Sequence, residues 1–359
     1  MQPNHGGNLR WAADRAGISE DDILDFSASI NPLGTPPSAI AAIQSHLVNL
    51  KHYPDPEYVA LRQALAKFHQ ISMDWILPGN GVSELLTWAG RDLAEFAVTV
   101  LFTPAFSDYY RALHTFGAVI TDYSLVLADQ GKLYFSLPDL VPTLKGSQTG
   151  ILINNPHNPT GYLYTRNEIL AYLDEFALVV VDEAFMDFLP PDQHQSVIDL
   201  VPNYPHLVIL RSLTKFYGLP GLRLGYAIAH PERLKQWQQW RDPWSVNSLA
   251  VAAGIAIVED HQFQQQTWDW LSSARPQLWL GLDRIEGITP IMGAANYLLV
   301  RSEYSGSWLQ QQLLQSDRIL IRDCLSFHEL GDNYFRVAVR LESENERLIK
   351  GLSKIIKTN

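Results

Sequence analysis

The run Arg211-Ser212-Leu213-Thr214-Lys215-Phe216-Tyr217-Gly218-Leu219-Pro220-Gly221-Leu222-Arg223 sets one amine beside two hydroxyls, with a guanidinium just past a glycine-containing turn. These groups suit an aldehyde cofactor that carries a phosphate. A lysine amine condenses with an aldehyde to a Schiff base. Hydroxyls and an arginine hold a phosphate dianion, the arginine as a planar fork. A solvated lysine in a turn is the plainer interpretation of Lys215 taken alone, and two upstream segments weigh against it. Ile151-Leu152-Ile153-Asn154-Asn155-Pro156-His157-Asn158-Pro159-Thr160-Gly161 reads as an apolar strand entering a turn. Leu178-Val179-Val180-Val181-Asp182-Glu183-Ala184-Phe185 reads as a buried parallel strand that delivers a carboxylate at its C-terminal end. Asn158, Asp182, Lys215 and Arg223 each follow or flank a short apolar run. A doubly wound sheet brings consecutive strand ends to one edge, so all four can reach one crevice.

The elements that must position these groups alternate in type. Candidate strands are Ala97 to Phe102, Gly150 to Asn154, Leu178 to Asp182, Leu207 to Arg211 and Leu224 to Ala229. Thr165 and Glu168 form a capping box that opens an intervening helix. This rhythm predicts an α/β fold with a mostly parallel sheet covered on both faces. The C-terminal third differs. Helical patterns from about Ser248 to Glu286 lead into strand-like segments at Ala295 to Val300, Ile319 to Arg322 and Tyr334 to Val339. A helix from Ser343 to Ile356 follows, with Ser343 and Glu346 as a second expected capping box. That pattern describes a smaller α+β unit. The tryptophans at 237, 240, 244, 268, 270, 279 and 308 could line a carbohydrate- or base-stacking surface, but most fall at helix-like spacings and are expected in the core.

Composition bounds the possibilities. The 359 residues are 47% hydrophobic and 18% charged, which fits a globular protein with a substantial core. One cysteine, Cys324, excludes an intrachain disulfide and a cysteine-built metal site, and fits a reducing cytoplasm. The opening residues lack the basic and apolar regions of a signal peptide. The apolar run Leu249 to Val258 is too short to span a membrane and reads as a core helix. A net charge of −11 and a pI near 5.4 argue against a nucleic-acid surface. An anionic substrate must then be captured by a local cluster of positive groups, against an unfavourable overall field.

The order of these motifs resembles the fold-type-I pyridoxal-phosphate enzymes of the aspartate aminotransferase superfamily. Within it the chain is most similar to the threonine-phosphate decarboxylases of the cobalamin pathway. The marks are His5-Gly6-Gly7-Asn8, Leu24-Asp25-Phe26-Ser27-Ala28-Ser29-Ile30-Asn31-Pro32-Leu33-Gly34, Tyr53-Pro54-Asp55, Gly79-Asn80-Gly81, Pro243-Trp244-Ser245-Val246-Asn247, Ala295-Asn296-Tyr297 and Arg318-Ile319-Leu320-Ile321-Arg322. Histidinol-phosphate aminotransferases share much of this pattern.

The resemblance implies a large cofactor-binding α/β domain over 36–247 and a smaller α+β domain built from 1–35 and 248–359. The implied cofactor is pyridoxal 5′-phosphate, with Lys215 as its Schiff-base lysine. Asp182 would pair with the pyridine nitrogen, and Asn158 would bond the ring hydroxyl. Phe106 would stack on the ring. Gly81, Val82, Ser83, Ser212, Thr214 and Arg223 would hold the phosphate. Tyr53 would reach the cofactor phosphate of a neighbouring subunit in a homodimer. His5 and the Gly6 backbone match a substrate-phosphate contact, Arg336 an α-carboxylate clamp, and Arg322 a second arginine near the substrate. Two departures stand out. Phe185 replaces the tyrosine that in many relatives adds a second bond to the ring hydroxyl. Ser29 stands where the family usually has asparagine near the substrate. The implied reaction converts O-phospho-L-threonine to (R)-1-aminopropan-2-yl phosphate and carbon dioxide. The alternatives are a histidinol-phosphate aminotransferase, and a non-catalytic cofactor-binding protein that the intact Lys215 and Asp182 speak against. Partners would be a small phosphorylated amino acid and a second copy of the chain, with no nucleic acid, membrane or metal.

Overall fold

The computed structural model describes residues 5–125, 146–327 and 329–358. Its centre is a seven-stranded sheet ordered Ile76–Gly79, Gly225–Ile228, Leu207–Ser212, Phe176–Asp182, Gly146–Asn154, Val98–Thr103, Ile120–Ser124. Only Gly225–Ile228 runs against the rest. The five expected strands are all present within a few residues. Two further strands were not foreseen, Ile76–Gly79 and Ile120–Ser124, and both lie at sheet edges. Pro78 lies in the first, where an edge position tolerates a residue that cannot donate to the ladder.

Continuous apolar runs make the central strands because both faces are covered. Ile151, Ile153, Val179, Val181, Leu207 and Ile209 belong to one buried layer. Leu152, Leu178, Val180, Val208 and Leu210 belong to the other. That alternation is the period of two of a strand. The second layer is closed by Leu85, Leu86, Ala89 and Leu93 of helix Val82–Leu93 and by Tyr109, Ala112 and Leu113 of helix Ser107–Thr115. Burying each large aliphatic side chain contributes about 1.5–3 kcal/mol, so the sheet is a stiff platform for whatever its strand ends carry.

A second sheet, ordered Arg322–Asp323, Tyr334–Ala338, Tyr297–Ser302, Ile288–Ile291, is antiparallel. Helices Ser248–Val258 and His261–Asp283 precede it, as the helical patterning anticipates. The amino-terminal strand Leu24–Asp25 pairs in parallel with Ile319–Leu320, and Leu9 and Ala12 pack with Leu314 and Leu320. Thr165 and Glu168 make the expected capping box. The second box is corrected. The last helix begins at Glu342, and Glu344, rather than Glu346, reaches back to the Leu341 N–H at 3.1 Å. Leucine offers no capping oxygen, so the reciprocal half is missing. Among the tryptophans, Trp237 is fully buried and donates to Asp92, whereas Trp244 is 45% exposed and does not belong to the core. Cys324 is fully buried, and burial pushes its thiol up to about 12. Among the described residues no helix is long and apolar enough to cross a membrane.

Candidate active site

Register fixes the floor of the cleft. Asn154 lies opposite Asp182, so two parallel strands end level, and Asp182 lies opposite Leu210 of the third, which runs on beyond them. Ser212 ends the third of these strands, facing Gly225. Above them opens a cleft of about 540 Å³. Lys215, Asp182, Asn158, Phe106, Ser212, Thr214 and Arg223 all line it, together with Val82, Ser83, His5, Gly6, Ser29, Arg322 and Arg336. Gly81 is not among the lining residues but adjoins them. Tyr53 is elsewhere: it is 80% exposed and its ring lies tilted against that of Trp244, with centroids 4.6 Å apart.

At one end of the cleft a helix N-terminus, two hydroxyls and a guanidinium come together. The strand Ile76–Gly79 turns at Asn80 and Gly81 into helix Val82–Leu93, whose first N–H groups lack intrahelical partners. Gly81 sits at φ 76° and ψ 167°, a region essentially reserved for glycine. A Cβ there would fall 2.4 Å from Nη2 of Arg223. The Ser212 and Thr214 hydroxyls lie 2.8 Å apart and are buried.

The floor carries the acid and the amine. Asp182 accepts the Ala184 N–H at 2.9 Å on one oxygen and the Tyr109 hydroxyl at 2.8 Å on the other. Asn154 donates its side-chain amide to the Asp182 carbonyl at 2.9 Å and accepts the Asn158 N–H at 2.6 Å. Burial raises the Asp182 carboxyl above its usual range, opposed by the Lys215 charge and by these two donors. Burial lowers the Lys215 ammonium, and Arg223 and Arg336 push the same way against the pull of Asp182. The amine therefore loses its proton more readily than an exposed lysine, as a nucleophile requires. Lys215 Nζ stands 5.0 Å from the centre of the Phe185 ring. Its backbone is held from behind, where Asn31 donates its N–H to the Lys215 carbonyl at 3.0 Å and its side chain to the Phe216 carbonyl at 2.7 Å.

The other end is cationic. Arg322 and Arg336 are buried, which lowers both below the ordinary guanidinium value. Arg322 donates to Ser326 at 2.5 Å. Arg336 bonds the Asn158 side-chain oxygen and, at 3.2 Å, the Ser27 carbonyl. Two buried polar atoms at this end, Ser29 Oγ and Arg336 Nε, have no hydrogen-bond partner among the described residues. His5 lies over the cleft with its ring 5.4 Å from that of Phe106, and burial together with Arg322 lowers its pKa. Positive groups thus converge inside a chain of net charge −11, the local reversal that capture of an anion requires.

Tyr109, Asn31, Asn154 and Ser27 hydrogen-bond to Asp182, Lys215, Asn158 and Arg336, and sequence reasoning gave none of the four a role. Tyr109 could have been found as the residue three past Phe106, one helical turn away on the same face. Nothing in the sequence signals Asn31 pairing with Lys215, because the contact is made only by the fold.

The sequence matches the family described as aminotransferase class I and II over residues 21–352. It is 40% identical over 358 residues to the threonine-phosphate decarboxylase of Salmonella typhimurium, covering 98% of this chain and 96% of that one. It is 29% identical over 359 residues to a histidinol-phosphate aminotransferase of Methanothermobacter thermautotrophicus, covering 98% and 94%. The fold superposes on the histidinol-phosphate aminotransferase of Clostridium acetobutylicum with a TM-score of 0.85 at 27% identity, covering 94% of this chain and 100% of that one. The family cofactor, pyridoxal 5′-phosphate, fits the residues present: Gly81 leaves open the space beside Arg223 that a Cβ would fill, and the half-buried Lys215 and the buried Asp182 line the same cleft as Arg223. On a match running through nearly the whole chain, this protein belongs to the class I and II aminotransferase family and has the fold of the fold-type-I pyridoxal-phosphate enzymes.

Proposed function

We propose that the chain is a pyridoxal-phosphate-dependent decarboxylase of O-phospho-L-threonine, yielding (R)-1-aminopropan-2-yl phosphate for the nucleotide loop of a cobamide. The observation that carries this reading is the 40% identity, over 98% of the chain, to a threonine-phosphate decarboxylase. The cleft supports it chemically, since Arg322 and Arg336 offer positive groups, and His5 a ring N–H, to a substrate with two anions. In this reading Gly81, Val82, Ser83, Ser212, Thr214 and Arg223 hold the cofactor phosphate, Phe106 covers the ring, and Asn158 and Asp182 meet its polar edge. When bound, the cofactor draws the electron pair of the broken Cα bond into its ring.

The protein decides which bond breaks. His5, the Gly6 backbone and Arg322 would grip the substrate phosphate and so orient the Cα–carboxylate bond as the one to break. Binding energy from the remote phosphate is thereby used at the reacting carbon. Arg336 steers the carboxylate without binding it so tightly that it resists leaving. Lys215 would hold the cofactor at rest; displaced by the substrate, it would take up the proton that the substrate ammonium gives up and pass it to Cα after carbon dioxide departs. Residues 36–247 act as the cofactor-binding unit, and 1–35 with 248–359 supply the substrate arginines and the arm. The active form is a dimer in the cytoplasm. Exposed Leu47, Val48, Leu50 and Tyr53 form the face that a second copy covers, with Tyr53 reaching its cofactor phosphate.

A histidinol-phosphate aminotransferase is the second reading, favoured by the 29% identity and the TM-score of 0.85 to such enzymes. The phosphate-anchored reading is tested by carbon dioxide release from O-phospho-L-threonine and from L-threonine, in wild type and His5→Ala. It expects free threonine to lose turnover rate as well as affinity, and His5→Ala to damage phosphothreonine turnover far more than cofactor binding. Equal rates on both substrates, or a silent His5→Ala, would overturn it.

A further inference from the structure

Ser27 touches both sides of the anion-binding end. Its hydroxyl accepts the Gly7 N–H at 2.8 Å, and its carbonyl accepts Arg336 Nη2 at 3.2 Å. The residue is 2% exposed. Its orientation leaves little choice. Asp25 Oδ1 lies 2.6 Å from the Ser27 hydroxyl and 2.7 Å from the Ser27 N–H. An ionised carboxylate only accepts, so the single hydroxyl proton goes to Asp25 and a lone pair remains for Gly7. Asp25 is itself fixed, because Leu24–Asp25 pairs with Ile319–Leu320 and the Asp25 carbonyl accepts Arg340 at 3.1 Å. On the next residue, Phe26, the N–H donates to Leu320 and the carbonyl accepts from Ala338, both at 2.8 Å. The arm is pressed close: a Cβ on Gly6 would lie 2.1 Å from the Ser27 carbonyl oxygen, so the approach is open only to glycine.

We propose that Ser27 is a positioning and specificity-determining residue that sets the distance between the His5 arm and Arg336, and so selects substrates by the spacing of their two anions. The inference rests on the reading that the arm meets the substrate phosphate and Arg336 its carboxylate. The hydroxyl holds one anion site and the carbonyl the other, on a residue anchored to the sheet by Asp25. A substrate whose phosphate and carboxylate are one carbon farther apart cannot meet both sites while the arm is pinned. Ser27→Ala removes the hydroxyl and keeps the carbonyl, so it frees the arm and leaves Arg336 in place.

The test compares wild-type and Ser27→Ala holoenzymes in two ways. Hydrogen exchange over residues 5–9, with no substrate present, reads the pin directly. Carbon dioxide release from O-phospho-L-threonine and from the longer O-phospho-L-homoserine reads the spacing. The expected result is exchange of the arm about tenfold faster, a KM for phosphothreonine raised about fivefold, and a preference over phosphohomoserine narrowed about tenfold, the scale of one lost hydrogen bond. Cofactor affinity should change less than twofold. A loss of fold alone would not narrow the preference, and Gly6→Ala, which displaces the arm from the opposite side, should repeat the pattern. Unchanged arm exchange, or an unchanged preference with a loosened arm, overturns the proposal. If the wild type does not turn over phosphothreonine, the underlying reading falls, while the exchange result still decides whether Ser27 pins the arm.

Discussion

Gly81→Ala tests the phosphate end of the cleft. The added methyl would meet Arg223 Nη2 at 2.4 Å and Cζ at 3.0 Å, both at the far end of a flexible side chain. The guanidinium can therefore swing away, and that motion is the damage. Two costs separate. The backbone at φ 76° and ψ 167° becomes strained, at about 1–3 kcal/mol, which lowers the stability of the apoprotein and the holoenzyme alike. If Arg223 holds the cofactor phosphate as proposed, displacing it removes charged hydrogen bonds worth about 1.5–3 kcal/mol. At 1.4 kcal/mol per decade, cofactor dissociation should weaken roughly 10- to 150-fold. The assay titrates apoprotein with pyridoxal 5′-phosphate and follows tryptophan fluorescence, in Gly81→Ala, Arg223→Ala and the double variant. If the methyl acts through the guanidinium, the double variant binds no worse than Arg223→Ala. An affinity within twofold of wild type, or full additivity in the double variant, would refute the reasoning.

Further outcomes follow from the floor of the cleft and the exposed face. Tyr109→Phe keeps the ring against Phe106 but takes one of two donors from the buried Asp182, so cofactor affinity should fall roughly 10- to 150-fold, at about 1.5–3 kcal/mol for a bond to a charged group, as read by the same titration. Lys215 has its folded pKa lowered by burial, so the unfolded chain binds more protons between that value and 10.5. Apoprotein stability should therefore rise with pH as it climbs toward 10.5, and denaturant titrations of Lys215→Met should lack that rise. Tyr53→Phe should weaken cofactor binding by about 1 kcal/mol, one hydrogen bond, and sedimentation should find a dimer. A fully active monomer would remove the role given to Tyr53.

Much of this was legible in the chain because the central strands are buried on both faces. Leu178 to Asp182 and Leu207 to Arg211 could hardly be anything else. The edges were hidden for a physical reason. Ile76–Gly79 is four residues long and contains proline and glycine, and Ile120–Ser124 alternates polar residues at the rim. The site was legible to the extent that its groups sit at strand ends in sequence order, as Asp182, Ser212 and Lys215 do. Tyr109 bonds Asp182 across 73 positions and Asn31 bonds Phe216 across 185, contacts that no local pattern encodes. The second capping box failed because the helix begins at Glu342, which puts Ser343 inside its first turn rather than at the cap.

The central claim is the choice of bond. Product analysis of the purified holoenzyme with O-phospho-L-threonine, O-phospho-L-serine and histidinol phosphate, the last with 2-oxoglutarate, tests it most directly. The account predicts carbon dioxide and an aminopropanol phosphate from phosphothreonine, with no glutamate from histidinol phosphate. Glutamate formation without carbon dioxide release would contradict it and identify an aminotransferase.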